Sequence, residues 1–224
     1  GVQAELRLGI DLSPAYYRNR RIAGSDTTNV LEVVASSQEV SIQEKDAGIV
    51  TATKWAAFFP VHSNIPAAME MMLYHYYLER GLESLPTFPR GDVTLAFRQT
   101  DVVQIGGSPT PLDRYVVEGI NWGLRTVWLN ASNDLVALVQ ANTQFREAIR
   151  SGYEEALPFF VASHVEEQMR TLAAYTEAHQ EEPAAITALV GGDLVDGLSD
   201  VTRTDMTLIV EAGRIRNIGR RADV

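Results

Sequence analysis

The feature that most constrains the fold is a repeated alternation of apolar and polar residues in short segments, each closed by a turn signal. Between Asn29 and Thr53, apolar residues recur at every second position, and the stretch from Glu44 to Gly48 has the polar, glycine-closed character of a hairpin turn. Successive side chains of a strand point to opposite faces of its sheet. The pattern therefore predicts antiparallel strands with one solvated face.

The same pattern returns after a proline-containing connection at Leu85 to Pro89. Its segments are Asp92 to Thr100, Val102 to Ile105, Arg114 to Ile120, Arg125 to Leu129 and Leu135 to Gln140. With an aromatic strand ending at Pro60, the two halves predict about seven to nine antiparallel strands, arranged as a curved sheet or half-barrel. Residues 4 to 13 alternate only loosely and predict an extended entry with weak structure.

A short helix is predicted between the two groups of strands. Asn64 and Pro66 suit its start, and Gly81 suits its end. Its apolar positions leave Glu70 and Glu79 for solvent. Three methionines and three tyrosines in this helix are typical of a packed core face, and they are also suited to lining a pocket for a flexible apolar ligand.

A longer helical pattern runs from about Thr143 to His179. Pro158 falls inside it, and proline is unfavourable in a helix interior, so we expect a kink or a division into two helices. The paired acidic residues of this stretch predict a solvated face; they are Glu154, Glu155, Glu166 and Glu167. The fold class is accordingly α+β.

The stretch from Ala188 to Val224 is predicted to be a small β-meander. An apolar run ends at Gly191 and Gly192, a second apolar segment spans Met206 to Val210, and Ala212-Gly213-Arg214 turns the chain into Ile215 to Ile218. Such strand and turn signals are common, so their spacing alone predicts no function.

The order of residues in this stretch, ALVGGDLVDG followed by TLIVEAGRIRNIGRRADV, resembles the opening of metal-dependent amidohydrolases. Upstream, EGINWGLRTVWLNASNDLVAL and REAIRSGYEEALPFFVASH resemble the N-terminal region of exported bacterial members of that superfamily. The resemblance implies an α+β accessory domain at residues 4–183 and the first strands of an incomplete amidohydrolase-type β-sandwich at residues 184–224. It also implies a secreted or periplasmic location for the parent enzyme.

The metal signature of that superfamily is absent from these 224 residues. A His-x-His pair places two imidazoles on one side of a strand, whereas His62, His75, His164 and His179 form no such pair. The resemblance therefore implies a non-catalytic N-terminal portion. A divalent, zinc-type metal would be held in a catalytic barrel that the sequence does not include. The expected partner is that barrel, in the same chain or a second one, and a homo-oligomer is a further possibility.

An incomplete sandwich would leave apolar strand edges unpaired, which folded proteins avoid. We therefore expect the stretch from Ala188 to Val224 to be disordered, swapped onto a neighbouring copy, or paired with a partner chain.

A different class of function is a stand-alone carrier, in which a half-barrel and the methionine-rich helix enclose an apolar ligand. The candidate ligand-binding residues are Met69, Met72, Tyr76, Trp122 and Trp128. The chain carries 29 acidic and 19 basic residues, and this excess of negative charge disfavours sequence-independent binding to nucleic acid. No segment has the roughly 20 apolar residues of a membrane span, and the absence of cysteine excludes thiolate chemistry.

Overall fold

The computed structural model describes residues 1–36, 38–45, 49–53, 57–61, 65–89, 91–141, 145–178, 186–198 and 200–223. These residues form a mixed α+β fold of mainly antiparallel sheets and two α-helices, and within them no sheet closes into a barrel. The chain divides into two compact units, residues 1–171 and residues 172–224. Neither helix of the described residues is long and apolar enough to cross a membrane.

The first sheet is a five-stranded antiparallel meander in sequence order. Its strands are β1 (Val2–Leu8), β2 (Pro14–Ala23), β3 (Asp26–Ala35), β4 (Glu39–Glu44) and β5 (Ile49–Thr53). One face carries a buried row in which Tyr17, Val33 and Ile42 lie opposite one another. The expected weak structure of residues 4–13 is wrong in part, because β1 pairs with β2 along its whole length.

The second sheet has seven strands in the order β12-β11-β10-β9-β8-β7-β6. They are β6 (Phe59–Pro60), β7 (Leu85–Phe88), β8 (Asp92–Ile105), β9 (Ser108–Glu118), β10 (Arg125–Leu129), β11 (Leu135–Ala141) and β12 (Phe145–Ile149). Only β6 and β7 pair in parallel among these described strands. Gly106 and Gly107 close the long β8–β9 hairpin with φ of 56° and 78°, which glycine adopts without steric cost.

The two helices are α1 (Ala67–Glu79) and α2 (Leu157–Ala178). Gly81, with φ of 58°, follows the end of α1 and donates its N–H to the carbonyl of Leu78, as the sequence predicted. Asn64, the predicted cap, lies outside the described residues.

The prediction of one helical stretch from Thr143 is wrong. Residues Phe145–Ile149 form β12 because they pair in register with β11, and a 3₁₀ turn at Glu154–Ala156 then leads into α2. Pro158 is the second residue of α2. The backbone N–H groups in the first turn of a helix have no intrahelical acceptor, so the N–H that proline lacks costs no hydrogen bond there. Pro158 is therefore accommodated in the first turn and does not break the helix.

Helix α1 lies between the two sheets, and α2 covers the opposite face of the seven-stranded sheet. Leu73, Tyr74 and Tyr77 of α1 pack in the central core with Val127 and Leu129 of β10. Trp128 of β10 instead packs with Phe160 of α2. Since neighbouring residues of β10 point to opposite faces, this strand lies between the two helices and contacts both.

The second unit contains a three-stranded antiparallel sheet, β13 (Ile186–Leu194), β14 (Arg203–Glu211) and β15 (Arg214–Arg220). The expectation of a disordered stretch is therefore wrong for the described residues. Leu189, Leu208 and Ile218 lie opposite one another on one face, and Leu189 is 60% exposed. The sheet is formed, and one of its faces carries an open apolar row.

We expect Gly119→Ala to destabilise the first unit strongly. Gly119 has φ of 90°, and a Cβ there would overlap the backbone carbonyl of Asp92 at the start of β8. Gly107→Ala is the matched control, since φ is 78° but no atom lies within 4 Å of the added Cβ. The free energy of unfolding from urea titration should fall by about 1–3 kcal/mol more for Gly119→Ala than for the control. Equal losses would contradict the steric argument.

Candidate functional site

The most heavily buried ionic cluster joins α1 to the seven-stranded sheet. Glu70 of α1 is fully buried, and its two carboxylate oxygens contact different arginines. Arg125 Nη1 of β10 lies 2.6 Å from Oε2, and Arg146 Nη1 of β12 lies 2.8 Å from Oε1. Tyr74 donates its hydroxyl to Oε2 at 2.9 Å. Four side chains from one helix and two strands thus converge in the core.

The cluster holds two guanidinium groups against one carboxylate. Arg146 also donates to the carbonyl of Ile65 at 2.9 Å, and its side chain is 31% exposed, so solvent reaches this arginine. Arg125 is 2% exposed, and its Nη2 has no hydrogen-bond partner among the described residues. Burial, followed by the charge of Glu70, raises the pKa of Tyr74 well above its ordinary value.

On the opposite face of the sheet, His164 of α2 is fully buried. The backbone N–H of Ala141 donates to His164 Nε2 at 3.1 Å, so Nε2 is the unprotonated nitrogen. The proton therefore sits on Nδ1, which lies 2.9 Å from Thr126 Oγ1 of β10. Burial lowers the pKa of His164, and the ring is held as neutral imidazole.

Two further carboxylates on this face are paired with arginines. Glu167, 2% exposed, accepts from Arg98 Nε and from Arg170 Nη1, each at 2.7 Å. This carboxylate therefore joins β8 to α2.

Asp101 of β8 forms a separate cluster. It accepts from the Trp128 indole at 2.8 Å and from Gln99 at 2.6 Å, and it forms an ion pair with Arg114 Nε at 3.0 Å. Asp101 thus holds the side chain of Trp128 against β8, and its ion pair with Arg114 links the same cluster to β9.

These groups are occupied by each other. Both nitrogens of His164 are engaged, and both oxygens of Glu70 are paired with guanidinium groups, so these buried side chains are committed to contacts within the fold. Among the described residues, no three His, Asp or Glu side chains are grouped so as to hold a metal ion. His62 and His179 lie outside those residues. The contacts of Glu70, His164 and Glu167 attach the helices α1 and α2 to the seven-stranded sheet.

The five residues proposed to bind an apolar ligand do not form one site. Met69 packs against the core of the first sheet, whereas Met72 and Tyr76 pack in the central core with Phe59. Trp128 is fully buried beside α2, while Trp122 is 81% exposed in the loop before β10. The two tryptophans therefore share no binding platform.

An apolar pocket of about 260 Å³ lies elsewhere, between the first turns of α1 and the edge of the sheet. Ala67 and Met71 of α1 line it on one side. Leu135 of β11, Ala148 of β12 and Arg150, the residue after β12, line it on the other side. None of the five predicted residues belongs to this lining.

Sequence reasoning missed the buried ionic residues. It assigned Glu70 and Glu167 to solvent, and of His164 it predicted that it forms no His-x-His pair. A signal was present in α2, because Phe160, Ser163, His164 and Glu167 recur at helical spacing and all four are buried. For Glu70 the signal was a helix apolar on most sides, which is typical of burial between two layers.

Compared with protein-family models, curated proteins and solved structures, the chain gives no significant match.

We expect Glu70→Gln to destabilise the protein by about 3–5 kcal/mol, because the change leaves Arg125 buried without its counter-ion. Glu79→Gln, on the exposed end of the same helix, is the matched control and should alter stability by less than about 0.5 kcal/mol. Urea titration followed by tryptophan fluorescence measures both. A Glu70→Gln variant as stable as the control would mean that the ion pairs contribute nothing net.

We expect the stability of the first unit to fall as the pH drops below about 6.5, the ordinary pKa of histidine. The pKa of His164 is lowered in the folded state, so below this pH the unfolded chain binds a proton that the folded chain does not. The contribution of His164 is thus complete above pH 6.5 and is lost on acidification. Urea titration across this pH range measures the slope, and His164→Gln should reduce it.

Nuclear magnetic resonance titration of the histidine ring protons gives an independent measurement of the same pKa. His164 should remain neutral to a pH below about 6.5, the ordinary pKa of histidine, because burial lowers its pKa. Titration of His164 at or above about pH 6.5 would contradict the assignment.

Proposed function

We propose that this chain is the N-terminal, non-catalytic portion of an exported bacterial metal-dependent amidohydrolase. Residues 4–183 would form an accessory α+β domain, and residues 184–224 would supply the first strands of the amidohydrolase-type β-sandwich. The parent enzyme would use one or two divalent metals in a separate catalytic barrel to activate water for attack on a C–N or related bond. The accessory domain would dock against that barrel.

The observation that carries the proposal is the stretch from Ala188 to Val224. Its residue order resembles the opening of amidohydrolases, and its described residues include the strands β13, β14 and β15. Ala212 and Gly213 close the β14–β15 hairpin with φ of 49° and 72°. The open row of Leu189, Leu208 and Ile218 is what a sheet needs in order to pack against a second layer.

The first unit supports the same proposal in a different way. Its buried carboxylates and its buried histidine are engaged in ion pairs and hydrogen bonds that hold α1 and α2 on the sheet. A domain whose buried ionisable groups fix its own helices in place suits a scaffold that shapes one side of a larger enzyme.

The test begins with the codons that follow Val224 in the gene. We expect a reading frame that continues into a barrel of about 250 residues with a His-x-His pair near its start. The purified full-length product should contain bound divalent metal and should hydrolyse some member of an amide panel in a chelator-sensitive manner.

The 224-residue chain is the control and should show neither property. A stop codon directly after Val224, a continuing frame without the His-x-His pair, or stoichiometric metal in the 224-residue chain would overturn the proposal.

A further inference from the structure

Helix α2 has apolar residues on two opposite faces. One face is packed on the sheet and carries the buried residues Phe160, His164 and Glu167. At about 3.6 residues per turn, Val165, Met169 and Leu172 lie on the other side of the helix. They are 47%, 60% and 53% exposed. We call these three residues the outer stripe of α2.

An outer stripe of this kind is unusual on a helix that already has a packed face. A surface helix normally presents polar residues opposite its buried side, and contiguous exposed apolar residues mark an interaction surface. The spacing of the stripe, four residues and then three, is the spacing by which one helix packs along another.

We propose that the outer stripe pairs with the same stripe of a second copy of this chain, the two helices running antiparallel. A two-fold axis between Gln168 and Met169 places Val165 of each copy opposite Leu172 of the other. The two Met169 side chains then meet near the axis. A single self-complementary surface is what a closed two-fold dimer requires.

The charges beside the stripe select this partner and this direction. Glu166 and Arg170 lie on the same flank of α2, two residues on either side of Gln168. In the antiparallel pair, Glu166 of one copy approaches Arg170 of the other, and the symmetry makes the contact twice. In a parallel pair, the flanks of the two copies that carry Glu166 and Arg170 would lie on opposite sides of the interface, so this ion pair would not form.

Arg170 is able to make this additional contact. Its Nη1 is bound to Glu167 at 2.7 Å, but its side chain is 66% exposed. Glu167 is also bound by Arg98 at 2.7 Å, so it keeps an arginine partner when Arg170 turns toward another copy. The pairing uses α2 alone and does not depend on the proposed amidohydrolase role.

Sedimentation equilibrium and light scattering of the 224-residue chain test the pairing. We expect a reversible dimer at concentrations on the order of 100 μM. Met169→Glu should weaken the dimer at least about tenfold, because two carboxylates would meet at the apolar centre. Ala174→Glu, exposed on the other side of α2, is the matched control and should leave the dissociation constant unchanged.

A charge exchange tests the antiparallel direction. Glu166→Arg and Arg170→Glu should each weaken the dimer by about tenfold, and the double variant should recover to within about threefold of the original. Unchanged circular dichroism would show that each variant is folded. A monomer at all concentrations, insensitivity to Met169→Glu, or a double variant no stronger than the singles would overturn the proposal.

Discussion

The contact between Glu70 and Arg125 is the constraint on which the first unit depends. The carboxylate of Glu70 on α1 lies 2.6 Å from the guanidinium of Arg125 on β10, and both side chains are buried. A buried charge is strongly unfavourable without its partner, so α1 and β10 must form together. Arg146 extends the same requirement to β12 at the sheet edge, because its guanidinium binds the second oxygen of the same carboxylate. One side chain thereby fixes the position of a helix and the register of two strands.

Strand β10 carries this constraint to both faces of the sheet. Arg125 points toward α1, whereas the next residue, Thr126, points toward His164 of α2. The alternation continues with Val127 in the central core and Trp128 beside Phe160. Because consecutive residues of one short strand anchor different helices, a shift of register by one residue would exchange the two sets of partners. The polar residues therefore specify an arrangement that apolar packing alone would define less sharply.

The strands were predictable where alternation was strong and turns were marked by glycine or proline. The helix after Pro66 and its end at Gly81 also followed from local rules. Burial of Glu70 and Glu167 did not, since a carboxylate on a helix is normally solvated and its burial depends on arginines distant in the chain. Arg98 lies 69 residues from Glu167, and Arg125 lies 55 residues from Glu70. Likewise, β12 appears helical in the sequence until its pairing with β11 is known, because strand partners are non-local.

The two open apolar surfaces differ in what can cover them. A helical stripe with opposite charges on one flank is complementary to an inverted copy of itself, so a second chain satisfies it without any new sequence. The face of the three-stranded sheet that holds Leu189, Leu208 and Ile218 has a different requirement. A small sheet with one apolar face becomes stable when another layer packs on it, and in a sandwich that layer is a second sheet whose strands run within about 30° of the first. The two proposals therefore call for different partners.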